Sequence, residues 1–186
     1  MNKRLRDRQD QFRRPVIGSE RLFSGPIFAV ERDRFYEQNG LEVTRDVVRH
    51  AGGAGALPLF PDGRVALVRQ YRHPAGRDLL EIPAGKIEPD ESPDLAARRE
   101  VEQETGHRVG KLEMLAEFYS TPGFCEEILS VYLATDLTPS RQQLDYDEVV
   151  EIEYLQLAEA LDMIGRGEIV DSKTIIALLL TSQRTT

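Results

Sequence analysis

The chain has 186 residues, a formal net charge of −8 and a pI near 5.0, with 40% hydrophobic and 30% charged residues. That composition gives a soluble globular protein with a substantial core, and its acidity argues against a nucleic-acid-binding surface. It leaves an anionic substrate open, because a bound metal and a few arginines reverse the sign locally. Cys125 is the single cysteine, which excludes a disulfide and a thiolate zinc site. No signal peptide and no apolar run of about 18 residues is legible, so a cytoplasmic protein with no membrane partner is expected.

Residues 1–18 begin polar and basic without periodicity and are expected to form a flexible tail. Residues 19–50 read as an N-terminal β-meander: RLFSG, IFAVERDRFYE and LEVTRDVVR, the last two separated by the hairpin signal Asn39-Gly40. Its charges lie on both faces, so it must pack on another surface to be stable. Residues 51–186 form the main domain. Within it AGALPLF and VALVRQYR flank Pro61-Asp62-Gly63 as an expected hairpin, and DLLEIPAG follows. KLEMLAEFYS and EEILSVYLATDL are strands joined through Thr121-Pro122-Gly123-Phe124. EVVEIEYLQ is a last strand, and LAEALDMIGRG and SKTIIALLLTSQ are closing helices. This order predicts an α+β fold, a mixed β-sheet sandwiched between α-helices.

One stretch, Gly85 to His107, organises the rest. Ser92 suits an N-cap, Pro93 the first helical position and Gly106 the left-handed residue past the last turn. The helix between them spans about thirteen residues, roughly 20 Å. At helical spacing Glu100, Gln103 and Glu104 share a face with Ala96, Ala97 and Val101, while Arg98 and Glu102 point away. Carboxylates set among small apolar residues repel one another, and a hard divalent cation with oxygen ligands relieves that repulsion; Mg²⁺ suits best. By spacing alone, a cation site and a plain charged helix both stand.

The same stretch resembles the signature of the Nudix hydrolases: Gly85, Glu91 six residues on, then Arg99-Glu100, Gln103-Glu104 and Gly106. Two positions depart from it, His107 where an aliphatic residue is usual and Gln103 where a glutamate is. VRQYRHPAGRDLLEIPAG before the signature, YSTPGFCEE after it, and Pro122 sixteen residues beyond Gly106 look like the ADP-ribose pyrophosphatase branch. The resemblance covers roughly Phe23 to Leu180.

It implies a Nudix fold, a Mg²⁺ cofactor with Mn²⁺ as a substitute, and hydrolysis of the diphosphate of ADP-ribose to AMP and ribose 5-phosphate. It implies that Glu100, Glu104 and the Ala84 carbonyl hold metal. Gln103 becomes either a peripheral ligand position or a sign of one weaker ion. Glu91 and Arg99 are expected to pair and brace the turn, with Gly85 and Gly106 structural. The general base is expected in the acidic loop Asp145-Tyr146-Asp147-Glu148, with Glu148 matching best. Arg45 and Arg72 match diphosphate- or ribose-binding positions, and Arg69, on the strand of Arg72, is expected to share its face. Phe28 is a candidate for stacking on adenine and Glu127 for a ribose contact; the three histidines are read as structural. A homodimer completed by exchanged N-terminal strands is expected. The rival readings are a pyrophosphatase for ADP-glucose or GDP-mannose, and an ADP-ribose sensor without turnover, prompted by Gln103.

Overall fold

Alternating charged and apolar residues fold the N-terminal part into an antiparallel three-stranded sheet: β1 (Val16–Ser24), β2 (Phe28–Tyr36) and β3 (Glu42–His50). The computed structural model describes Leu5, residues 14–144, Tyr146 and residues 148–185. Most of the tail expected over 1–18 lies outside those residues, and β1 already begins at Val16. The β2–β3 register runs from Phe28 opposite His50 to Tyr36 opposite Glu42. Its turn spans Glu37 to Leu41, with Gly40 at φ 80° and Asn39 Oδ1 accepting from Leu41 N at 3.1 Å. Charge is paired across the sheet, as in the two bonds from Arg32 to Asp46 at 2.7 and 2.9 Å.

Residues 117–129 group with this meander as one compact unit, and residues 53–116 and 130–186 form a second. Within the first, Val48 and Cys125 make a parallel bridge, Val48 N donating to Phe124 O at 2.7 Å and Glu126 N to Val48 O at 3.1 Å. Arg49 binds Glu31, Asp33 and Glu126 together.

The second unit is built on β4 (Gly53–Pro58), β5 (Arg64–Arg72), β6 (Arg77–Glu81), β7 (Ala84–Lys86) and β10 (Val150–Gln156), with β8 (His107–Tyr119) and β9 (Ile128–Pro139) extending from it. The mixed sheet takes the form of two sheets, ordered β10-β5-β6 and β7-β4-β9-β8. The turn at Pro61-Asp62-Gly63 forms, with Gly63 N donating to Phe60 O at 3.0 Å, but the expected hairpin does not continue. Only Leu59 and Val65 bridge across it before β4 and β5 part into different sheets. Both strands are apolar enough to be buried on two sides, so periodicity could not tell which partner each takes.

Helix α1 spans Pro93–Thr105, ended by Gly106 at φ 67°. Ser92 is extended at the N-cap position and accepts from Ala96 N through its carbonyl, without a side-chain cap bond. Ala96, Ala97 and Val101 pack on Ala54 and Ala56 of β4 and on Tyr132 and Ala134 of β9, small residues that let the helix lie close to the sheet. Helices α2 (Leu157–Gly165) and α3 (Ser172–Thr185) close the unit. Leu57, Leu67, Leu80, Ile82 and Leu178 are fully buried there, each stabilising the fold by roughly 1.5–3 kcal/mol. Among the described residues no helix is long and apolar enough to cross a membrane.

Candidate active site

The face of α1 that packs on β4 also carries two of its carboxylates: Glu100 is 7% exposed and Glu104 2%, beside the fully buried Ala97 and Val101. Two glycines make this packing feasible. A Cβ on Gly55 would lie 2.5 Å from Ala84 Cβ and 2.6 Å from Pro83 O, so β4 and the approach to β7 touch backbone to backbone. A Cβ on Gly85 would overlap Glu100 Oε1, so the Glu100 carboxylate rests directly on the chain next to Ala84.

Glu104 is the exceptional group. Its Oε2 is buried with no hydrogen-bond partner among the described residues. Burial first, then the charges of Glu100 and Glu148, push its carboxyl up to about 9, although Arg72 and Lys173 pull the other way. Burial also raises Glu100, opposed by Arg99 and reinforced by Glu148. Glu148 is therefore close enough for its charge to be felt by both. Asp145 and Asp147, its neighbours in the expected base loop, lie outside the described residues.

Among the described residues no three Asp, Glu, His or Cys side chains converge in ligand geometry. The donor set nonetheless fits a hard divalent ion. An orphaned buried carboxylate oxygen, a second carboxylate laid against the Ala84–Gly85 backbone, and a third acidic charge nearby are all oxygen chemistry. Without a cation, burial favours the protonated Glu104 carboxyl.

The back of the site is a knot centred on Arg99. Its Nε and Nη2 donate to Glu91 Oε1 and Oε2 at 2.9 and 3.0 Å, Nη2 also to Lys86 O at 3.1 Å, and Nη1 to Glu100 Oε1 at 2.6 Å. The same Nη1 donates to Gln103 Oε1 at 3.0 Å, so the amide oxygen at the departing position faces the arginine. Glu91 thereby fixes the turn before α1 to the helix itself, and Arg99 lowers its pKa.

The loop leading to Glu148 is rooted on the end of α1. Ser140 N donates to Gly106 O at 2.7 Å, Gln143 N to Gln103 O at 2.9 Å, and Gln142 Nε2 to Glu104 O at 2.8 Å. Ser140 Oγ adds a bond to Glu102 Oε1 at 2.6 Å. The donors to Gln103 O and Glu104 O satisfy carbonyls that a helix end leaves unpaired.

A second charged cluster was not anticipated from sequence. Glu81, 1% exposed at the end of β6, accepts from Arg72 Nε and Nη2 at 2.8 Å each and from Lys173 Nζ. Burial alone would raise its pKa, but Arg72 and Lys173 overturn that and bring it down to about 2. In sequence Glu81 stands in a strand of apolar neighbours ninety-two residues before Lys173, so the only available signal was a carboxylate at an interior strand position.

The remaining candidates divide. Arg69 does not share the face of Arg72: they are three positions apart, strand side chains alternate, and Arg69 Nε bonds Glu153 Oε1 at 2.5 Å instead. Arg45, Phe28 and Glu127 belong to the N-terminal unit. Arg45 Nη1 donates to Thr44 O at 2.9 Å and the residue lines a cleft of about 710 Å³ with Phe35, Tyr119 and Phe124. Phe28 packs 5.6 Å from Phe23, and Glu127 Oε1 lies 3.3 Å from His50 Nδ1. His107 stacks edge-on against Phe60 and Tyr154, at 5.2 and 6.4 Å.

The chain thus sets two helix-borne carboxylates against a glycine turn on a sheet-and-helix fold. The structure superposes with a TM-score of 0.80 on a crystal structure of an ADP compounds hydrolase, 22% identical, covering 92% of this chain and 94% of that one; that likeness concerns the fold. Residues 49–178 match the NUDIX domain, and the chain belongs to the Nudix hydrolase family. It is 37% identical over 165 residues to an ADP-ribose pyrophosphatase of Bacillus subtilis, covering 88% of this chain and 89% of the relative. It is 38% identical over 169 residues to a methanol dehydrogenase activator of Bacillus methanolicus, covering 90% and 91%.

Proposed function

We propose that this enzyme is an ADP-ribose pyrophosphatase of the cytoplasm, a homodimer that uses Mg²⁺, or Mn²⁺ in its place, to produce AMP and ribose 5-phosphate. The observation that carries this reading is the orphaned, buried Glu104 Oε2 on a helix face that Glu100 shares. The likeness to the Bacillus subtilis pyrophosphatase supports ADP-ribose as the substrate.

Glu100, Glu104 and the Ala84 carbonyl would hold the ion, with Gln103, turned to Arg99, peripheral. A divalent cation held there would neutralise the diphosphate and polarise the attacking water. Glu148 is the general base and takes the proton of that water. The water oxygen bonds to one phosphorus while the bridging P–O bond breaks, and the bridging oxygen leaves with the other phosphate. Arg72 binds the diphosphate through its guanidinium. Arg45, Phe28 and Glu127 contact the nucleoside and ribose, in a dimer whose meander completes the neighbouring copy's site. The exposed Phe23, Ile27 and Leu41 of the meander supply apolar area for that dimer.

The test is a panel of ADP-ribose, ADP-glucose and GDP-mannose with purified protein and Mg²⁺, products identified. AMP plus ribose 5-phosphate from ADP-ribose is the expected result. Turnover of GDP-mannose alone would replace the substrate, and ADP-ribose binding without products would make the protein a sensor.

A further inference from the structure

Arg72 and Glu81 sit on neighbouring strands in a register that pairs Arg72 with Arg77 and Val68 with Glu81. Glu81 is four residues from Arg77, so both side chains share one face, and the arginine lies back along the sheet to reach the carboxylate. The contact uses only the Nε–Nη2 edge of the guanidinium. Among the described residues nothing accepts from Nη1, and the Arg72 side chain keeps 39% of its surface exposed. An arginine held by its back edge with its front edge open is a preformed receptor for a phosphate oxygen pair.

The anchor does not end at Glu81. Lys173 Nζ bonds both Glu81 and Asp171 Oδ1, the latter at 3.0 Å. Asp171 Oδ2 caps α3, accepting from Thr174 N at 3.0 Å and Thr174 Oγ1 at 2.6 Å. Thr174 Oγ1 in turn accepts from Ile82 N at 2.8 Å, one residue past Glu81 and two before Ala84. A chain of bonds thus runs from the backbone beside Ala84, through the start of α3, to the guanidinium. Two carboxylates and two cations balance, so the cluster holds its cations without a bound ligand.

We infer that Glu81 is a positioning residue for hydrolysis: with Lys173 and Asp171 behind it, it fixes Arg72 so that the open guanidinium edge meets the diphosphate. This rests on the proposed function, which makes a diphosphate the substrate. Glu81 itself touches no substrate. Its effect passes through Arg72.

A double-mutant cycle tests it with whichever nucleotide sugar the wild-type enzyme turns over. Glu81→Gln and Arg72→Met are each expected to lower kcat/KM about 10–100-fold, and the double variant to be no worse than Arg72→Met. Arg72→Lys, which keeps the charge and loses the fork, is expected to resemble Arg72→Met. Losses that multiply in the double variant, or unchanged kinetics in Glu81→Gln, would overturn the inference and leave the enzymatic reading intact. Absence of turnover by the wild-type enzyme would overturn both. Should Glu81→Gln fail to fold, Lys173→Met and Glu81→Asp take its place in the cycle with the same expected non-additivity.

Discussion

Gly85 and Glu100 meet at a point that only glycine leaves open: any Cβ on residue 85 would overlap Glu100 Oε1. Gly85→Ala is therefore expected to displace the Glu100 carboxylate or the β7 backbone. A misplacement near 1 Å costs about 100-fold in rate, and the overpacking costs roughly 1–3 kcal/mol of stability. Steady-state kinetics beside a thermal melt check it; near wild-type kinetics would remove Glu100 from the reacting constellation.

Glu104 gives the metal-free protein a pH signature. Its folded pKa, about 9, lies above its ordinary value near 4.5. A raised carboxyl pKa means the folded state holds the proton longer, so its contribution is fully present below pH 4.5 and is lost as pH rises toward 9. Melts in EDTA should show declining stability across that window. Glu104→Gln should flatten the decline and, at pH 8, stabilise the metal-free protein by about 1–3 kcal/mol.

The Arg99–Glu91 pair braces the turn before α1 by two bonds of 2.9 and 3.0 Å. Glu91→Gln leaves Arg99 partly unpaired beside Glu100. A loss of about 1–2 kcal/mol is expected by denaturant titration, together with reduced activity. A variant as stable and active as wild type would reduce the pair to decoration.

Gln142 ties the loop leading to Glu148 to Glu104 O at 2.8 Å. Gln142→Ala removes one donor from a helix end and is expected to cost about 0.5–1.5 kcal/mol. If the root sets where Glu148 sits, kcat should fall about 3–10-fold while KM changes little. A rise in KM at constant kcat would place the loop in binding instead.

Much of this was legible in the sequence where local signals act. Pro93 and Gly106 bounded α1 because helix ends are written in a few residues, and the placement of Glu100 and Glu104 among alanines followed from helical periodicity. The partners of β4 and β5 were not legible, since fully buried strands carry no alternation to show which edge they pair with. The expected common face for Arg69 and Arg72 failed on strand alternation, because an odd separation sends side chains to opposite sides. Glu81 with Lys173 was invisible for a different reason: the two meet only after α3 docks, and nothing local to either marks the other.

Metal-dependent hydrolysis through Glu104 is tested most directly by comparing wild type and Glu104→Gln on ADP-ribose with Mg²⁺, at equal folded fraction, by quantifying AMP and ribose 5-phosphate. Equimolar products are expected from wild type, none with EDTA, and at least a 100-fold lower rate from the variant, a loss of about 3 kcal/mol of transition-state stabilisation. A variant that still forms AMP at close to the wild-type rate would contradict it.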